Sequence, residues 1–398
     1  MTDPLGQSQV LPYLLGLAQS GYNIFLLSCE KAEAFQRHKN IVEELVKDTG
    51  VKWMPIAYTK KPPVLSTMLD IYKLRRAAKK IHRQHGIDMV HTRPGVPALV
   101  GLWLKKKYGI TFLNDIRDFY ADSRVDGFMW DLKNPMYKTV YNFFKRKEAE
   151  QVKLNDGIVT LTYAAEQVVR QLPEFKTGTP LEVISCSADL ALFDPAAISE
   201  EQKTAVKNKF GIQPGDIIIT YLGSVGGLYL TDEMMQFCKV AHDKIPAAKF
   251  LFISPGRHEA IAAAAAKQGI AAEKLIITSA ARKEVPLYLS LSNFSVFFIR
   301  PCFSRKAQSP TKHGEIMAMG IPVITNRGIG DVEEIMDKYQ SGLVITAFTE
   351  AEYAAAVNRI IAGNGYDPVS IRQGATEVYA LSAAIEKYKR IYKTLLLQ

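Results

Sequence analysis

The sequence contains no apolar run near the roughly 18 residues of a membrane-spanning helix and no charged, apolar and small-residue series of the signal-peptide kind. A cytoplasmic protein is therefore expected. Cysteine is scarce, and Cys29, Cys186, Cys238 and Cys302 lie far apart, without CxxC spacing, in apolar or strand-like surroundings. They read as reduced core thiols rather than disulfide partners or metal ligands. Neither GxGxxG nor a P-loop GKT/GKS is present. No RNP, zinc-finger, KH or helix-turn-helix signature accompanies the basic charge, which leaves nucleic acid the weakest partner class.

What is present is the composition of an ordinary globular chain, with 398 residues of which 47% are hydrophobic, 10% aromatic and 23% charged. That length supports two domains with separate cores. A net charge of +10 suggests an anionic partner. The excess is local, with 20 Lys/Arg against 7 Asp/Glu between Lys52 and Lys147. "KLRRAAKKIHRQHG", 73–86, reads as the solvated face of an amphipathic helix or as a surface attracted to an anionic membrane. "GFMWDLKNPMYKTVYNFFKRKEAEQ", 127–151, mixes aromatics with cations and fits core packing of one helix or docking on a membrane face.

Strand-like runs alternate with helical patterns, the mark of parallel sheets covered by helices. Six strands are predicted before residue 190 and six after 215, with a hinge near Asp194 to Ala197. The domains expected are 1–195 and 196–378, followed by a helix over 379–398 that crosses back to the first. The opening "MTDPLGQSQVLPYLLGLAQSG" enters a helix through a Gly-containing turn, whereas a doubly wound domain feeds that turn from a central strand. The natural reading frame is therefore expected to start upstream, with Met1 an internal methionine; the alternative is that the first domain folds with a gap in its sheet and unpaired strand edges. Gly6 and Gln7 of this turn are candidate acceptor-side or loop positions.

The most informative stretch is "QSPTKHGEIMAMGIPVITN", 308–326. Ser309 suits an N-cap, Pro310 the first helical position, and Gly320 with Pro322 a stop. Lys312 then falls in the first turn, where a cation costs a few tenths to about 1 kcal/mol unless an anion sits against it. A diphosphate would reverse that sign. Glu315, three residues on and on the same face, can accept hydrogen bonds from vicinal hydroxyls such as those of a ribose. An ordinary Lys–Glu pair is the alternative. Gly223, Gly226 and Gly227 of "TYLGSVGGLYLTDE" would let backbone approach a phosphate, or serve helix–strand packing alone.

The 309–323 run resembles the "(S)PxKxxExMAxGxPVI" pattern of the retaining glycosyltransferases of family 4, the group 1 glycosyl transferases of GT-B fold. "YLGSVGG", "SCSADLALF", "NDGIVTLTYAAEQV", "GIGDVEEI" and the closing Tyr-rich helix extend the resemblance along the chain. It implies an α/β fold of two Rossmann-like doubly wound domains facing a cleft. It also implies a nucleotide-diphosphate sugar donor, a saccharide or lipid-linked acceptor, and no cofactor or metal; no DxD triplet is present.

By resemblance Lys312 takes the diphosphate and Glu315 the ribose, with Ser309, Gly223, Ser224 and Gly226 on the donor side. Gln308 stands where the pattern has Glu. The pattern's Arg and Lys after the first C-domain strand are missing, which leaves Arg257, Arg282 or Arg300 to share the phosphate charge. "NDIRDFYADSRVDG", 114–127, resembles a "DxRGxxxDE" variant, with Asp118 for Gly and Ser123 for Glu. Asp115 and Arg117 there would orient acceptor or sugar, or close the loop as a salt bridge; Arg124 is a further loop candidate. His91 and Arg93 end another strand and are cleft candidates.

The activity expected is sugar transfer with retention in polysaccharide or glycolipid assembly, at the inner face of the plasma membrane. A weakly catalytic nucleotide-sugar-binding or scaffold subunit and a sugar-nucleotide epimerase are the competing readings.

Overall fold

All twelve strand-like runs form strands, most of them shorter than the run read from the sequence. The computed structural model describes residues 1–62, 64–363 and 365–397, with the side chain of Pro4 outside the description. The chain divides into Met1–Ser185 with Leu381–Gln398, unit 1, and Cys186–Ala380, unit 2.

In unit 2 the strands are β7 (Ile217–Leu222), β8 (Ala248–Ile253), β9 (Leu275–Thr278), β10 (Phe294–Val296), β11 (Val323–Asn326) and β12 (Gly342–Ile345). They form one parallel sheet in the order β12-β11-β10-β7-β8-β9. Helices cover both faces, so the strands read as continuous apolar runs rather than alternating ones. The winding reverses between β7 and β10, and the crevice at the carboxyl ends of those two strands is where an open sheet of this kind binds ligands.

In unit 1 the strands are β1 (Ile24–Glu30), β2 (Val51–Ala57), β3 (Met89–Thr92), β4 (Thr111–Ile116), β5 (Gly157–Thr160) and β6 (Leu181–Val183). They make two separate parallel sheets, β1-β2 and β3-β4-β5-β6. Among the described residues the position that β7 holds in unit 2 has no counterpart here, and β1 and β3 are each paired on one side only. Side chains bridge the gap. Tyr22, Ile24 and Met89 share one apolar cluster with the helix Leu381–Leu396, while Leu27 and Val90 share another with Leu74 and Val100. Between them remains a cavity of about 490 Å³, lined among others by Phe25, His85, Val90 and Tyr392.

Several expectations need correction. The opening is two helices, Pro4–Gln9 and Leu11–Gln19, not a turn. Gly6 is needed in the first because an added Cβ would lie 2.6 Å from Met1 Cα, and the Gln7 side chain reaches the Thr2 carbonyl. The change of unit falls at Ser185/Cys186, before the expected 195/196, because the intervening segment belongs to unit 2. Phe193 is fully buried in that core, and Arg372 donates to the carbonyls of Phe193 and Leu190 and pairs with Asp194. Of the four cysteines only Cys238 is buried, the others being partly exposed.

A strand edge without a neighbour leaves its outward amides unprotected. In hydrogen exchange the amides of β1 and β3 are expected to exchange at least about tenfold faster than those of β7 and β10, which are paired on both sides. Equal protection of the two sets would show that the gap is closed in solution.

Candidate functional site

At the switch point of unit 2, β7 runs into a turn with Gly223, Gly226 and Gly227 all at positive φ. Beneath it starts the helix Thr311–Ala318. The two are so close that a Cβ on Gly223 would stand 2.7 Å from the Lys312 ammonium, so glycine here answers a close approach as well as a φ of 121°.

Lys312 is 8% exposed. Its Nζ lies 3.9 Å from the ring centroid of Tyr229, 4.5 Å from that of Tyr221 and 5.8 Å from that of Phe297, and donates to the Tyr221 hydroxyl at 3.3 Å. Ring faces stabilise a cation but do not neutralise it. Burial depresses the Lys312 ammonium to about 7, with Glu315 opposing that shift.

The Lys–Glu pair offered as an alternative does not form. Glu315 instead accepts from Arg282 Nη1 at 2.5 Å, and among the described residues no carboxylate lies within 4.0 Å of Lys312 Nζ. Burial raises the Glu315 carboxyl above its ordinary value, with Arg282 and Lys312 acting against it. Arg282 is itself half-exposed and lies 4.7 Å over the Phe193 ring.

Ser309 is not the N-cap. The helix begins one residue later than expected, behind Pro310, and Ser309 Oγ accepts from the Cys186 amide at 3.2 Å. The Ser224 carbonyl accepts from the Tyr221 hydroxyl. Arg257, at φ 60°, starts the helix His258–Lys267 and lies against Gly226, where an added Cβ would meet Nη1 at 2.6 Å. Arg300 is exposed, its amide donating to the Leu228 carbonyl of the same turn at 2.9 Å. Gln308 Oε1 accepts from Arg305 Nη1 at 2.8 Å.

Sequence reasoning missed three residues here. Tyr221 and Tyr229 hold the lysine, and the Arg305 charge is felt by Tyr229. An inward position on β7 could have marked Tyr221; nothing local marks the other two.

A second constellation lies in unit 1. Asp115, 1% exposed at the end of β4, accepts from the Tyr388 hydroxyl at 2.9 Å, and His91 Nε2 stands 3.2 Å from the same oxygen. Arg117 bonds Tyr388 at 3.1 Å and lies 3.8 Å from the carboxylate. Burial would raise the Asp115 carboxyl, but Arg117, His91 and Arg93 outweigh it and hold it at about 2. The Tyr392 hydroxyl is 2.7 Å from His91 Nδ1, so the helix Leu381–Leu396 supplies two tyrosines to the cluster.

Arg93 donates to the Gln9 carbonyl. Asp118 and Ser123, the two departures from the acidic-loop pattern, bond each other at 2.9 Å. Arg124 stacks on Tyr120, 4.5 Å from its ring centroid. Among the described residues no cluster of three His, Cys, Asp or Glu is arranged to hold a metal ion.

Residues 219–363, spanning the glycine turn and the lysine helix, match the family model Glycosyl transferases group 1. The comparison with curated proteins finds no match. Among solved structures, a glycosyltransferase from Rickettsia africae is similar at 15% identity and TM-score 0.72, covering 99% of this chain and 96% of that one. Sucrose-phosphate synthase from Thermosynechococcus elongatus follows at 14% and 0.72, over 97% and 92%. Anabaena HepE in complex with UDP-glucose has 11% and 0.69, over 99% and 98%. At such identities the likeness is one of fold: this is an α/β protein with parallel sheets matching GT-B glycosyltransferase structures, with two Rossmann-like units.

A buried ammonium without a carboxylate is a stability defect that an apolar side chain would remove. Because its folded value, about 7, lies below the ordinary 10.5, the cost is fully present below pH 7 and fades as pH rises toward 10.5. Lys312→Met is therefore expected to raise unfolding free energy by at least about 1 kcal/mol at pH 6, with a smaller gain at pH 9. Denaturant melts at both pH values check it, and a gain that does not shrink with pH would contradict the assignment.

Proposed function

We propose that this chain is a glycosyltransferase that moves a sugar from a nucleotide-diphosphate sugar to a hydroxyl acceptor with retention, in polysaccharide or glycolipid assembly. The observation that carries the reading is Lys312, a desolvated cation between two tyrosine rings, at a helix start and under a glycine turn at the switch point of the unit 2 sheet. The family match over 219–363 and the UDP-glucose complex of HepE support it.

The diphosphate would lie against Lys312 and the first amides of its helix, where the N–H groups have no intrahelical acceptor. Arg305 would supply the second cation that the sequence had seemed to lack. Glu315 would turn from Arg282 to the two ribose hydroxyls, which releases Arg282 toward the phosphates. As the sugar–phosphate bond breaks, negative charge grows on the leaving oxygen, and these donors are already oriented to receive it. The acceptor hydroxyl would enter on the same face and pass its proton to the departing diphosphate, so no nucleophilic carboxylate and no metal is required.

In unit 1, Asp115 keeps one carboxylate oxygen without a hydrogen-bond partner. It is the group we assign to an acceptor hydroxyl, with His91 and Arg117 holding it in place. A nucleotide-sugar-binding subunit without turnover is the second reading, favoured by Gln308, an uncharged side chain already engaged by Arg305.

Thermal melts with UDP, GDP and ADP are expected to show stabilisation by one of them, lost in both Lys312→Ala and Glu315→Ala. Binding charges Lys312, so the wild-type affinity should weaken as pH rises above about 7, whereas Lys312→Arg should hold its affinity. If no nucleotide stabilises the folded wild type, the donor site is refuted. Binding without sugar release to any acceptor or water would favour the second reading.

A further inference from the structure

In unit 1, away from the Asp115 cluster, the helix Leu65–His85 carries an apolar stripe that faces solvent. Leu65, Met68, Leu69 and Tyr72 are all exposed, Leu65 and Met68 by 63% and 60%. Their spacing of three, four and seven is the face that a helix ordinarily buries, while its core contacts are made by Leu74, Ala78 and Ile81 on another face. The stripe borders a groove of about 550 Å³. The helix Val96–Tyr108 forms its floor with Leu99, Leu102 and Trp103, and Phe143 of the helix Pro135–Leu154 closes the far side.

The charges around this groove have one sign. Arg75, Lys106, Lys107 and Lys147 line it and no carboxylate does. Glu150 bonds both Lys106 and Lys147, at 2.5 and 2.6 Å, so one negative charge serves two cations. Arg75 and Lys107 have no carboxylate within salt-bridge distance among the described residues; both lie over the Trp103 ring, at 5.5 and 5.7 Å, and the buried Arg75 Nε has no hydrogen-bond partner.

We infer that this face docks on an anionic phospholipid bilayer, with an acyl chain in the groove and lipid phosphates on Arg75 and Lys107. An apolar trough rimmed by cations matches an amphiphile with a negative head and a hydrocarbon tail. A second copy of the chain fits worse, because a two-fold contact would bring the same unpaired cations against each other. The inference does not depend on the transfer reaction, and its test does not read that reaction. Among the described residues no helix is long and apolar enough to cross a membrane, so attachment here would be from one side.

The test is co-sedimentation of the full chain with phosphatidylcholine vesicles, and with vesicles in which part of that lipid is replaced by phosphatidylglycerol, at low and high salt. Binding to the anionic vesicles alone, released by salt, is expected. The exposed double variant Met68→Asp/Tyr72→Ser, folded by circular dichroism, and Lys107→Glu should each bind at least about tenfold more weakly. No sedimentation with anionic vesicles overturns the inference. So does binding that both variants retain, or self-association by analytical ultracentrifugation that the double variant abolishes, which would assign the face to a second copy.

Discussion

Everything at the candidate site follows from the burial of one ammonium group. Lys312 starts a helix whose dipole already repels it, has left water, and among the described residues has no carboxylate within salt-bridge distance. Aromatic faces lessen the cost, which is why Tyr221 and Tyr229 flank it, and the backbone must come close, which is why residue 223 is glycine. Such an arrangement is held at the expense of stability, and under the function we propose the anion of a ligand would relieve it. Glu315 completes the logic from the other side: a buried carboxylate kept satisfied by a half-exposed arginine.

The two units solve the same folding problem unequally. In unit 2 the central strand β7 is paired on both sides and sets the switch point that positions Gly223 and Lys312. In unit 1 the corresponding place is bridged by side chains and capped by the helix Leu381–Leu396, whose Tyr388 and Tyr392 tie down Asp115 and His91. The returning helix thus does part of the work that a strand does elsewhere, and it draws the strand-end charges of unit 1 into a packed network.

Much of this was legible in the chain itself. All twelve strands could be read because parallel strands buried on both faces are short continuous apolar runs between turn residues. The break between the two sheets of unit 1 was legible in the opening segment, whose pattern is helical. Lys312 stood out because a cation contradicts the helix dipole, and Glu315 because three residues place it on the same face. Ser309 misled, since its hydroxyl serves the distant Cys186 amide rather than its own helix, and the hinge was misplaced because Phe193 belongs to the core it precedes.

The sequence by itself determined the local matters: which segments are strands and helices, and which residue violates the rules of its own element. Those depend on periodicity and on neighbours a few positions away. Only the tertiary structure decided that Lys312 meets tyrosines rather than Glu315, that Arg282 is the partner of Glu315, that His91 and Asp115 rest on tyrosines from the far end of the chain, and that one helix leaves an apolar stripe uncovered. Each joins residues distant in sequence, and the energies that select them, desolvation and packing, exist only once the chain has closed around them.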